Sequence, residues 1–64
     1  MPWSSRRVTT SERMDLIAVE ASRLDVSRRE VTIRAQSVHG LNLPGGKRLI
    51  FDGSYFLLTP SVAR

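Results

Sequence analysis

The sequence predicts a small α+β fold in which two short helices precede a β-hairpin. Three observations carry that expectation. Thr9–Glu12 and Ser27–Glu30 are capping boxes: each sets a hydroxyl three residues before a glutamate, so that each side chain satisfies an orphan amide at a helix start. Gly40 stands where the second helical pattern runs out, and glycine commonly ends helices by taking a left-handed conformation. Asp52-Gly53 separates two apolar runs, a strong two-residue hairpin signal because both central positions need positive φ.

Residues 1–11 read as a flexible basic arm. Pro2, Ser4, Ser5, Thr9, Thr10 and Ser11 show neither a helical nor a strand period, Trp3 is the one large apolar group, and Arg6-Arg7 lies in the middle. The first helix opens at the Thr9 box. Met14, Ile17, Ala21 and Leu24 then recur at helical spacing and form one apolar stripe, with Leu16 and Val19 off it. Asp25-Val26 breaks the pattern, since aspartate tolerates turn conformations. The second helix starts at the Ser27 box and sets Val31, Ala35 and Val38 on one face.

The run from Leu41 to Gly46 contains Pro44, Gly45 and Gly46 and cannot be helix. Lys47–Phe51 is a strand candidate and Ser54–Thr59 its return, stopped by Pro60. Alternation puts Tyr55 and Leu57 on one face of the hairpin and Phe56 and Leu58 on the other, and two apolar faces suggest that one meets a partner. Two helices joined by a brief turn and followed by a hairpin spell a winged helix-turn-helix over residues 12–60, with 61–64 as a tail. An all-β domain is the competing reading, since Val31-Thr32-Ile33 and part of Leu16–Val19 alternate like strands. It would leave both capping boxes and Gly40 without a role.

Composition bounds the function. Sixty-four residues hold one domain with little interior. The absence of cysteine excludes a disulfide scaffold and thiolate metal sites, and the single histidine, His39, cannot build an imidazole site. No cofactor and no metal is expected. No apolar run approaches a membrane span, and MPWSSRR lacks the apolar segment of a secretory signal. A soluble protein of the bacterial cytoplasm, nucleoid-associated when bound, is the corresponding expectation. An enzyme has no plausible constellation of catalytic groups and too little chain to enclose a pocket.

The charge points to a polyanion. Ten Lys/Arg stand against six Asp/Glu, for a net charge of +4 and a pI near 11.2, and nine of the ten cations are arginine. Arginine's planar fork of donors matches phosphate and guanine edges. With Val31, Ala35 and Val38 turned inward at about 100° per residue, the second helix shows Arg29, Thr32, Ile33 and Gln36 outward, with Arg28 and His39 on a flank. Arginine and glutamine read guanine and adenine edges, and Ile33 suits a thymine methyl. An ordinary solvated face is the plainer account of the same residues. Ser27 caps the helix, and the helix start then offers amides to a phosphate. Lys47 and Arg48, beside Gly45-Gly46, would neutralise a flanking backbone, since a winged fold sets them on the same side as the charge of the second helix; protection of an edge strand is the plainer account. Arg6 and Arg7 suit a minor groove or a solubilising tail.

Ala21-Ser22-Arg23-Leu24-Asp25-Val26-Ser27-Arg28-Arg29-Glu30-Val31, followed by Gly40-Leu41-Asn42-Leu43-Pro44 and Gly46-Lys47-Arg48-Leu49-Ile50-Phe51, resembles the excisionase and MerR-like winged-helix superfamily over residues 16–56. In that family an alanine, a leucine and a Gly-Val-Ser turn precede the recognition helix, and Asp25 stands at the turn glycine. The resemblance implies a sequence-specific duplex DNA-binding accessory factor of site-specific recombination in a phage or mobile element. Such a factor bends DNA and contacts an integrase. A MerR-like relative would instead regulate transcription. One such unit makes few contacts, so self-association on adjacent sites is expected. The other class weighed is a protein-binding inhibitor, an antiactivator without DNA affinity.

Overall fold

The computed structural model describes residues 5–61, in which two helices cover one face of a four-stranded antiparallel sheet. The elements in chain order are β1 (Arg6–Arg7), α1 (Thr10–Leu24), α2 (Arg28–Ala35), β2 (Leu41–Leu43), β3 (Lys47–Phe51) and β4 (Phe56–Pro60). The sheet order is β1-β4-β3-β2. The α+β class is therefore as expected, and Val31-Thr32-Ile33 lies inside α2, which removes the all-β alternative.

Only the hydroxyl half of each capping box forms, because the Glu12 and Glu30 carboxylates turn to Arg6 and Arg34 instead of back to the cap amides. The Glu12 amide donates to Thr9 Oγ1 at 3.0 Å, and the Glu30 amide donates to Ser27 Oγ at 3.0 Å. Between the helices Asp25 adopts a left-handed conformation (φ 58°, ψ 47°), and the Val26 amide closes the turn on the Ala21 carbonyl at 3.0 Å. A short polar side chain visits that region at lower cost than most. Ile17 and Ala21 of α1, Val31 and Ala35 of α2, and Leu41, Leu49 and Phe56 of the sheet form the core.

Several expectations give way. Arg6 and Arg7 belong to the sheet, paired with Leu58 and Leu57, and not to a free arm. Two residues are too few to show a strand period, and both side chains are arginine, so nothing in the sequence marks the strand. Residues 1–4, including Trp3, and 62–64 lie outside the described residues. Helix α2 ends at Ala35, short of Gly40, because Ser37 turns back: its amide and its hydroxyl both donate to the Arg34 carbonyl, at 3.1 and 2.7 Å. Val38 is consequently 93% exposed and not on a core face. Met14 is likewise exposed, and the inward stripe of α1 runs through Ile17, Glu20 and Ala21.

The hairpin loop is also longer than two residues. Phe51 and Phe56 are the last pair, and the Asp52 amide donates to the Tyr55 carbonyl at 3.0 Å. The Asp52 carboxylate accepts the amides of Tyr55 and Ser54 at 2.7 and 2.9 Å, which builds a wider turn around Gly53. Pro60 is the last residue of β4 rather than its stop. The segment 41–43, expected only to be non-helical, pairs with β3 as an edge strand.

Candidate nucleic-acid interface

Helix α2 with its caps Ser27 and Gln36 positions six of the residues singled out for DNA contact. Val31 and Ala35 are fully buried, which turns Arg29, Ile33 and Gln36 to solvent; Ile33 is 58% exposed. Arg28 and Thr32 form the shoulder toward α1. The Thr32 hydroxyl donates to the Arg28 carbonyl at 2.9 Å and the Ser27 hydroxyl is committed to the cap, so neither hydroxyl is idle. On the opposite shoulder Glu30 takes Arg34 at 3.2 Å, an exposed pair that removes one cation from the face. His39 is exposed and lies beyond the end of α2, so it does not sit in the helix's last turn.

Arg28 and Thr32 share a groove of about 240 Å³ with Arg13, Met14 and Ile17 of α1. Arg13 is the functional candidate that sequence reasoning missed. Its guanidinium lies 4.9 Å from the centre of the Phe56 ring, which holds it beside the groove. The available signal was its helical spacing of four from Ile17, which puts a long aliphatic stem along the inward stripe with its charge at the edge.

The remaining predicted residues do not join this face. Lys47 lines a different recess with Arg6, Glu12, Leu16, Val19 and Glu20. Positions 12, 16 and 19 lie on one flank of α1, whereas the groove with Arg28 lies on the other. Arg48 follows Lys47 in β3 and so points to the opposite face of the sheet, where its Nε donates to Asn42 Oδ1 at 3.3 Å. Arg6 is held by Glu12 through two hydrogen bonds of 2.9 and 2.6 Å. These bonds keep the Glu12 carboxyl below the usual carboxylate range. Arg7 lies 4.0 Å over the Tyr55 ring at the hairpin end.

The electrostatic result is selective. Glu12, Glu20 and Glu30 each hold one arginine, whereas Arg7, Arg13, Arg28, Arg29, Lys47 and Arg48 form no ion pair among the described residues. Arg13 and Arg28 thus flank the groove that the exposed Met14 lines, while Arg29 and the exposed Ile33 lie on the solvent side of α2. Among the described residues no cluster of three His, Asp or Glu side chains is placed to hold a metal, and no helix is long and apolar enough to cross a membrane. No family model, no curated protein and no solved structure matches the chain.

Proposed function

We propose that the protein binds duplex DNA in a sequence-specific manner as a winged helix-turn-helix, with the outward face of α2 in the major groove. Its role is that of an excisionase-like accessory factor that bends DNA and contacts a recombinase. The observation that supports this reading is the unpaired arginine set on one side: Arg28 and Arg29 with Gln36 on α2, and Arg13 beside them on α1. Guanidinium groups without carboxylate partners are available for phosphate and for guanine, and Gln36 for adenine. Arg13 and Arg28 flank the groove and suit backbone phosphates; Arg29, Ile33 and Gln36 suit base edges. Lys47 and Arg48 have no part in this footprint.

A protein-binding inhibitor is the second reading, favoured by the exposed Met14 and Ile33. Titration of a labelled duplex at two salt concentrations separates them. The phosphate contacts of Arg13 and Arg28 give a loss of about tenfold in affinity between 50 and 200 mM salt, and each further contact about threefold more. No binding at the lower salt overturns the DNA reading and leaves the inhibitor.

A further inference from the structure

The face of the sheet turned away from the helices carries a pattern of its own. Register places Arg7, Leu57 and Ile50 side by side across β1, β4 and β3, and Thr59, Arg48 and Asn42 in the next row across β4, β3 and β2. These positions alternate with the buried Leu41, Leu49, Phe56 and Leu58, so they share the outer face. Side-chain contacts agree, since Arg48 reaches Asn42, Ser5 Oγ donates to Thr59 Oγ1 at 2.9 Å, and Arg7 covers Tyr55. Among the described residues no helix packs on this face, where Ile50 and Leu57 are half-buried, and an open face of an antiparallel sheet is ordinarily polar. Here its middle is isoleucine beside leucine, with a guanidinium next to each: Arg48 two residues before Ile50, and Arg7 opposite Leu57. Neither row contains a carboxylate; Asp52 in the hairpin loop feels the charge of Arg7 but forms no ion pair with it.

We infer that this face docks an acidic amphipathic helix of a partner protein, whose aliphatic side chains cover Ile50 and Leu57 while its carboxylates meet Arg7 and Arg48. Charge selects the occupant. A second copy would bring Arg7 and Arg48 against their own counterparts in a molecule of net charge +4. A single nucleic-acid strand needs open ring faces for stacking, and the Tyr55 ring at this face already holds Arg7. The inference is independent of the DNA reading, because α2 packs on the other side of the sheet.

The test uses a synthetic helical peptide with leucine along one face and glutamate on both flanks, and a counterpart with lysine at the flanks. Saturable binding of the glutamate peptide is expected, with the lysine peptide about tenfold weaker or more. Amide resonances of Arg7, Arg48, Ile50 and Leu57 should shift, and those of Arg29 and Gln36 should not. Arg7→Glu with Arg48→Glu should invert the preference, and Thr59→Glu alone should weaken the glutamate peptide. Equal affinity for both peptides, or shifts centred on α2, overturns the inference. So does self-association abolished by Ile50→Glu, or tighter binding of an oligothymidine to the same resonances.

Discussion

Gly40 is constrained twice. Its φ of +71° is a conformation that side-chain-bearing residues rarely adopt, and a Cβ there would stand 2.6 Å from Ile50 Cγ2 and 2.8 Å from the Leu49 carbonyl oxygen. The second neighbour is backbone of a central strand and cannot yield. Gly46 has nearly the same φ, +74°, and nothing within 4 Å of the added carbon. Gly46→Ala therefore isolates the conformational cost, about 1–2 kcal/mol. Gly40→Ala adds overpacking, for about 2–4 kcal/mol in total. Equal urea midpoints for the two variants would remove the steric half of this account. Asp52 sets a second residue-scale expectation, in pH. The Tyr55 and Ser54 amides hold its carboxyl below the ordinary aspartate value. The folded state thus prefers the charged form. The resulting stability is complete above the ordinary aspartate value and is lost as pH falls through the lower folded value. Asp52→Asn keeps an acceptor oxygen but does not titrate, so its acid unfolding curve should be flatter in that window. An unchanged curve would assign the acid response to Glu12, which Arg6 holds low by the same logic.

At the scale of elements, what local chemistry decides was readable and what partners decide was not. Both helix starts fall at the hydroxyls that the spacing marks, although their glutamates pair with arginines instead, and Ser27 matters more than its size suggests because α2 has only 8 residues. A helix that short is not stable by itself. Ser27→Ala should cost about 1 kcal/mol and speed amide exchange through α2 first; uniform acceleration across the molecule would mean that the cap is not specific to that helix. The α1 stripe was only half legible. Ile17 and Ala21 are where spacing puts them, but Glu20, not Met14, shares the buried side. Its carboxylate is 2% exposed and is held by Arg23 Nη2 at 2.7 Å, a pairing that no hydrophobic pattern encodes. Breaking such a pair strands a buried charge, whereas replacing both members with apolar groups is often neutral. Arg23→Ala should therefore lower the melting temperature, and Glu20→Leu added to it should restore most of the loss. A double variant no better than the single would show that the carboxylate has further partners.

Over the whole molecule, net charge states how many cations there are but not which act together. The outward face of α2 was legible because one helix turns Val31 and Ala35 inward and everything opposite outward. The grouping of Lys47 and Arg48 with that face was not, because neighbouring strand residues point to opposite sides and α1 stands between Lys47 and Arg28. Arg13 joins the groove from α1, and its guanidinium lies against Phe56, a residue far along the chain. Salt dependence measures this grouping directly. Each phosphate contact contributes about 0.9 to the slope of log affinity against log salt on duplex DNA. Arg13→Ala and Arg28→Ala should each lower that slope by about 1, and Lys47→Ala and Arg48→Ala should leave it where it is. Gln36→Ala should instead relax the preference at one base pair, by about 1–3 kcal/mol, with the slope unchanged. If Lys47→Ala lowered the slope as much as Arg28→Ala, DNA would have to reach both flanks of α1. The footprint would then follow the β2–β3 turn rather than the α1–α2 groove.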